Sequence, residues 1–227
     1  MRTIQMLTYM KTKSEALFES FCEMQKIQCE KIIESNTRKP DYWISTDGIR
    51  IVVEVKQIDQ NKEDEANYKE FIEKGMVVGD AKPGARVRSK IKSAAPQISN
   101  LAKGKHPGIL VLFNNVPLAN FLDSYHLKVG MYGLDTIVLS KPEDFEPPLV
   151  LGRKSGGKRK LTENHNTSIS AVGVIREERE GLFFDLYHNH FASIPVPNSL
   201  CKKLECNEYR LLNNGQFEFK SWALAKS

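Results

Sequence analysis

Two carboxylates and a lysine stand close together in this chain: Asp41, preceded by Pro40, then Glu54 and Lys56 on either side of Val55. Asp47-Gly48 lies between them and is a strong two-residue turn signal, because a type I′ turn needs positive φ at both central positions. A turn there makes a hairpin of residues 42–53. Thr46 then opposes Ile49, Ile44 opposes Ile51 and Asp41 opposes Glu54. Opposed residues point to one face with Cβ atoms about 4.5–5.5 Å apart, and Lys56, two residues on, shares that face. Ile49, Ile51, Val53 and Val55 fall on the other side, which is expected to be buried. Two unit negative charges about 5 Å apart repel by roughly 3 kcal/mol at an effective dielectric of about 20. One ammonium does not satisfy both, whereas a hard divalent cation with oxygen ligands, Mg2+ or Mn2+, does. Such an ion polarises a phosphate and acidifies a bound water. The lysine beside it can orient that water or stabilise the charge that develops.

These residues need elements to hold them. Residues 14–35 carry Phe18, Phe21, Cys22, Gln25, Cys29 and Ile32 at helical spacing, which predicts a first helix with Ser14 as its N-cap. Glu15 lies near the edge of the apolar stripe and Glu19 further towards solvent. Asp59 to Lys74 is highly charged with a weak stripe of Tyr68, Phe71 and Ile72, and reads as a short amphipathic helix or an insertion. Residues 75–84 read as a loop. A basic helix follows from Arg86 to about Ala102, packing Ile91, Ala94, Ala95, Ile98 and Leu101 on a sheet. Pro96 predicts a kink or break in it. Gly108 to Phe113 is a continuous apolar run, expected as a buried central strand. Helix, strand, strand, helix, strand in that order suits an α/β sandwich.

Pro-Asp, a spacer of a dozen residues, then Glu-x-Lys at the end of an apolar strand resembles the PD-(D/E)XK nuclease superfamily, the restriction-endonuclease-like fold. The resemblance covers about residues 10–115. It implies a mixed β-sheet core flanked by helices and a metal-dependent hydrolysis of phosphodiester bonds. It places Mg2+ or Mn2+ on Asp41 and Glu54, with the backbone carbonyl of Val55 completing the site, and gives Lys56 the assisting role. Many members add a glutamate from the first helix, here Glu15 with Glu19 in reserve. A basic or glutamine residue from the helix after the Glu-x-Lys strand often faces the site. Arg86, Lys90 and Gln97 lie near one stripe and are the candidates. Gln57 after the lysine is a variation the family also shows.

The remaining half is less informative. Residues 1–115 are read as the nuclease core and 116–227 as an extension of the same domain with extra C-terminal β strands. Asp135 to Leu139 reads as a strand and Pro142 to Pro148 as a loop. Arg153, Lys154, Lys158, Arg159 and Lys160 form a basic segment, read as a flexible loop, able to contact a phosphate backbone without reading sequence. Ser168–Arg176 and Leu182–Ala192 read as two strands joined by Glu177–Gly181. His188-Asn189-His190 has ordinary core or surface roles as its leading reading, and His126 and His165 have no assigned role. Cys22 and Cys29 read as core thiols, while Cys201 and Cys206 have no zinc-ligand spacing.

The chain has 227 residues, a formal charge of +5 and 41% hydrophobic residues, enough for one large core. It shows no signal peptide and no membrane-length apolar run, and its four scattered cysteines fit a reducing, cytoplasmic setting. No P-loop, dinucleotide loop or nucleophile elbow is present. The expectation is therefore a nuclease acting on nucleic acid, DNA before RNA, in restriction, defence or genome maintenance by analogy. Family analogy admits a homodimer, although no dimer motif stands out. Two other classes compete: a nucleic-acid-binding protein that keeps the fold without catalysis, and an interaction module whose triad is an ordinary salt-bridge cluster.

Overall fold

The computed structural model describes residues 11–33, 38–77, 82–117, 119–141, 147–213 and 220–224. Helix α1, Lys13–Met24, opens the order and strand β1, Gln28–Lys31, follows it. Strands β2, Tyr42–Thr46, and β3, Ile49–Ile58, form the hairpin. Its register is the predicted one, with Thr46 opposite Ile49 and Ile44 opposite Ile51. Asp47 and Gly48 adopt φ of 48° and 77°, the left-handed pair that a type I′ turn requires.

Helices α2, Lys62–Lys74, and α3, Ala85–Ala102, then carry the chain back to β4, Gly108–Asn114, which runs parallel to β3. Helix α4, Ser124–Tyr132, leads into a separate two-stranded sheet of β5, Asp135–Leu139, and β6, Val150–Ser155. Strand β7, Ala171–Glu178, returns beside β4, again parallel, and turns into β8, Gly181–His188. Helix α5, Asn198–Leu204, connects β8 to the parallel β9, Asn207–Asn213, and β10, Lys220–Leu224, closes the series. The large sheet is mixed, eight-stranded and ordered β1-β2-β3-β4-β7-β8-β9-β10. The protein is thus α/β, a mixed sheet flanked by helices.

Both faces of β3 are covered. On one, Phe18 and Phe21 of α1 pack with Ile51, Val53, Val55 and Val111. On the other, Val87, Ile91 and Ile98 of α3 pack with Val52, Ile58, Leu110 and Leu112. Of the α3 residues expected to face the sheet, Ile91, Ala94, Ala95 and Ile98 are buried and Leu101 packs partly. Helix α4 sits close against the start of α3. Gly84, at φ 67°, caps that helix, and a Cβ there would lie 2.5 Å from the Gly130 amide nitrogen.

Several expectations are corrected. The predicted helix over 14–35 ends at Met24, where Lys26 turns left-handed at φ 53° and the Ile27 amide donates to the Cys22 carbonyl at 2.8 Å. Cys29, on the helical stripe read from the sequence, fits a strand as well, and pairing with β2 decides for the strand. Ser35 lies outside the described residues. The N-cap is Thr12, whose side chain and Glu15 form a reciprocal capping box, Thr-x-x-Glu. Pro96 does not break α3. It sits on the exposed side, where water can satisfy the carbonyl that its missing N–H leaves. Ile49, expected on the buried side, is 37% exposed because it lies at the hairpin tip. Arg153 and Lys154 belong to β6, opposite Ile137 and Thr136, rather than to a loop. Helix α2 forms without burying any residue, from a capping box of Asn61 with Asp64 and a left-handed Gly75 at its end.

Candidate metal and catalytic site

Glu54 is on an interior strand with α3 above it, so it is 0% exposed. The triad therefore occupies the seam between sheet and helix, not an open face of the hairpin as the pairing alone predicts. Its Oε1 is paired with the Lys56 ammonium and accepts from Gln97 Nε2 at 2.7 Å. Its Oε2 is buried and has no hydrogen-bond donor.

Asp41 lies one residue before β2, with its amide donating to the Val53 carbonyl at 3.1 Å and its Oδ2 accepting the Val55 amide at 2.8 Å. The side chain thus takes a ladder hydrogen bond at the strand end, which fixes it beside Glu54. Burial, and then the Asp41 charge, push the Glu54 carboxyl up to about 7. Burial also raises Asp41, against the opposing effects of the Val55 amide and Lys56. Two carboxylates in this position need a proton or a cation between them.

Lys56 is 28% exposed along its side chain and reaches outward from the buried pair. Lys90 stands near it, its ammonium made more acidic by burial and by the charges of Lys56 and Arg86. Arg86 pairs with Asp64 of α2, lies 3.4 Å from the Asp59 carbonyl and covers the Phe121 ring at 5.1 Å. Asp64 and Phe121 also line a groove of about 390 Å³ with Tyr68, Phe71 and Val77. Gln57, the residue after the lysine, accepts the Ser14 amide at 3.0 Å and so ties the start of α1 to β3.

Glu15 is 2% exposed and already engaged. Its Oε2 accepts from the amide and hydroxyl of Thr12, both at 2.8 Å, and its Oε1 accepts from Lys31 at 2.8 Å. Burial pushes its carboxyl up, but these hydrogen bonds outweigh that and hold it below the usual range. Its charge raises Asp41, so it acts on the site through space. Glu19 accepts from the Tyr42 hydroxyl at 2.7 Å and pairs with Lys11.

The structure thus brings together Asp41, Glu54, Lys56 and Gln97, with Lys90 near Lys56, while Arg86 is engaged by Asp64 and Phe121. Lys158, Arg159 and Lys160 lie elsewhere, against the end of α4, where the Lys160 amide donates to the Met131 carbonyl at 3.0 Å. No described contact joins them to Glu54. His126 pairs with Asp123 at 2.9 Å and His165 makes a β-bridge with Thr162. Gln97, one of the candidates from the helix after the Glu-x-Lys strand, is hydrogen-bonded to Glu54; what sequence reasoning missed is the complete burial of Glu54, signalled by Val52 two residues before it and Ile58 four after it, which make that face apolar too. Compared with known proteins, the chain matches no family model, no curated protein and no solved structure. Among the described residues, no helix is long and apolar enough to cross a membrane.

Proposed function

We propose that the chain is a metal-dependent nuclease of the PD-(D/E)XK, restriction-endonuclease-like type, hydrolysing phosphodiester bonds in DNA. The observation that carries this reading is the buried Glu54 Oε2, without a donor, beside a second carboxylate that it repels. The order α1-β1-β2-β3-α3-β4, with α2 as an insertion, agrees with it, as do Lys56 and Gln97 on the other Glu54 oxygen.

The residues fit a hard divalent cation. Asp41 and Glu54 would hold Mg2+ or Mn2+, with the Val55 carbonyl as a third oxygen. When bound, the ion supplies a Lewis acid for a phosphate oxygen and lowers the pKa of a water. Asp41 is held for this task by the Val55 amide, and Glu54 by Gln97. Lys56, paired with Glu54, would be placed to orient the attacking water or the phosphate oxygen. Lys90 and Arg86 add positive charge on the same side and would contact the phosphate backbone. Glu15 would join only by giving up Lys31.

The test is metal dependence of cleavage. Protein stripped with chelator leaves plasmid, linear double-stranded and single-stranded DNA intact, and Mg2+ or Mn2+ restores cutting. Glu54→Ala removes it. Well-folded protein that cuts none of these with either metal would instead favour a catalytically inactive nucleic-acid-binding protein of the same architecture.

A further inference from the structure

His188, Cys201 and Glu208 come from three separate elements: the end of β8, the middle of α5 and the start of β9. Their ligand atoms all lie within 4.8 Å of one another. His188 Nε2 is 2.9 Å from Glu208 Oε2. His188 and Cys201 are 5% and 2% exposed, whereas the Glu208 side chain is 19% exposed, so the group opens to solvent on its side. Arg210 Nη2 lies 3.2 Å from the same carboxylate oxygen, and Cys201 Sγ lies within 4.8 Å of the ligand atoms of both His188 and Glu208.

A hydrogen-bonded His–Glu pair accounts for two of these residues. Cys201 also packs in the hydrophobic core beside Leu200 and Leu204, as a buried free cysteine ordinarily does, but its sulfur lies within 4.8 Å of the ligand atoms of both polar partners. Imidazole nitrogen, thiolate sulfur and carboxylate oxygen together are the mixed donor set that zinc accepts. Bond lengths of about 2.0–2.3 Å place the ligands of a tetrahedral zinc roughly 3.3–3.6 Å apart. That spacing falls between the 2.9 Å His188–Glu208 distance and the 4.8 Å outer limit, so side-chain rotations of well under 2 Å would build the site.

We propose that His188, Cys201 and Glu208 form a zinc site, separate from the Asp41–Glu54 pair. Zn2+ takes the place of the thiol proton, which leaves to solvent as the Zn–S bond forms, and the imidazole binds through Nε2 as the neutral ring with its proton on Nδ1. Arg210 then acts as the outer hydrogen-bond partner that orients the ligating carboxylate. The fourth position faces solvent on the Glu208 side and takes water. The ion fastens α5 and β9 to the end of β8, and so secures the part of the sheet that β8 and β9 extend beyond the central strands. A site of this kind contributes to folding directly.

Cobalt(II) titration of the full, chelator-treated chain tests this. A thiolate-to-cobalt charge-transfer band in the near ultraviolet is expected for wild type, bleached by a single equivalent of zinc. The oxygen ligands of Asp41 and Glu54 give no such band, so Asp41→Ala keeps it, and Cys206→Ser keeps it as well. Cys201→Ser and His188→Gln lose it, and they lose the rise in melting temperature that zinc gives wild type. Circular dichroism of the metal-free variants checks that they fold. Wild type without the band, or a band that survives in Cys201→Ser, overturns the proposal.

Discussion

Gln97 of α3 donates to Glu54 of β3 across 2.7 Å, a contact between residues far apart in sequence that joins the covering helix to the acidic pair. With Lys56 on the same oxygen, it leaves the other oxygen of Glu54 as the buried acceptor without a donor. The position of α3 therefore bears directly on the electrostatics of the site.

Gln97→Ala should loosen Glu54 without removing a ligand. Partners of metal ligands typically contribute about tenfold to a hundredfold in metal affinity. The expected result is a Mn2+ dissociation constant raised by about that factor, read by calorimetry, with the melting temperature of the metal-free protein little changed.

The raised Glu54 carboxyl makes metal-free stability pH-dependent. An ordinary value of 4.5 in the unfolded chain and about 7 in the folded one mean that the folded state holds the extra proton. Stability is then full below about pH 4.5 and falls as pH rises through 7. The loss is of order 3 kcal/mol. Thermal unfolding in chelator should show wild type losing stability from pH 5 to 8 relative to Glu54→Gln. Adding Mg2+ should restore wild type and leave Glu54→Gln unchanged.

Gly84 caps α3 at positive φ and abuts Gly130 of α4. A Cβ 2.5 Å from a backbone nitrogen cannot be accommodated by a side-chain rotation. Gly84→Ala should cost about 1–3 kcal/mol from strain, with more from the clash, measured by urea unfolding. Gly48→Ala is the milder comparison, because its Cβ would meet nothing within 4 Å.

The hairpin and its acidic pairing were legible in the sequence because Asp47-Gly48 fixes one turn and one register, from which Asp41 and Glu54 follow. The α3 core positions were legible from their 3.6-residue period. The end of α1 was not, because Cys29 satisfies a helix and a strand equally, and the choice depends on β2. Nor were β9 and β10, since the pairing of β9 with β8, on which β10 then adds, is a long-range event. The basic segment was legible as charge but not as place. Arg153 and Lys154 pair with β5, and Lys158 to Lys160 lie by α4, so charge clustering alone did not bring them to Glu54. Cys201 found its neighbours His188 and Glu208 only through the fold.

The central claim is that Lys56 assists hydrolysis at a metal held by Asp41 and Glu54, and cleavage of DNA by wild type and Lys56→Ala side by side, at saturating Mn2+, tests it most directly. The account predicts that Lys56→Ala binds Mn2+ but cuts about a hundredfold to a thousandfold more slowly. Equal cleavage by both proteins would contradict it.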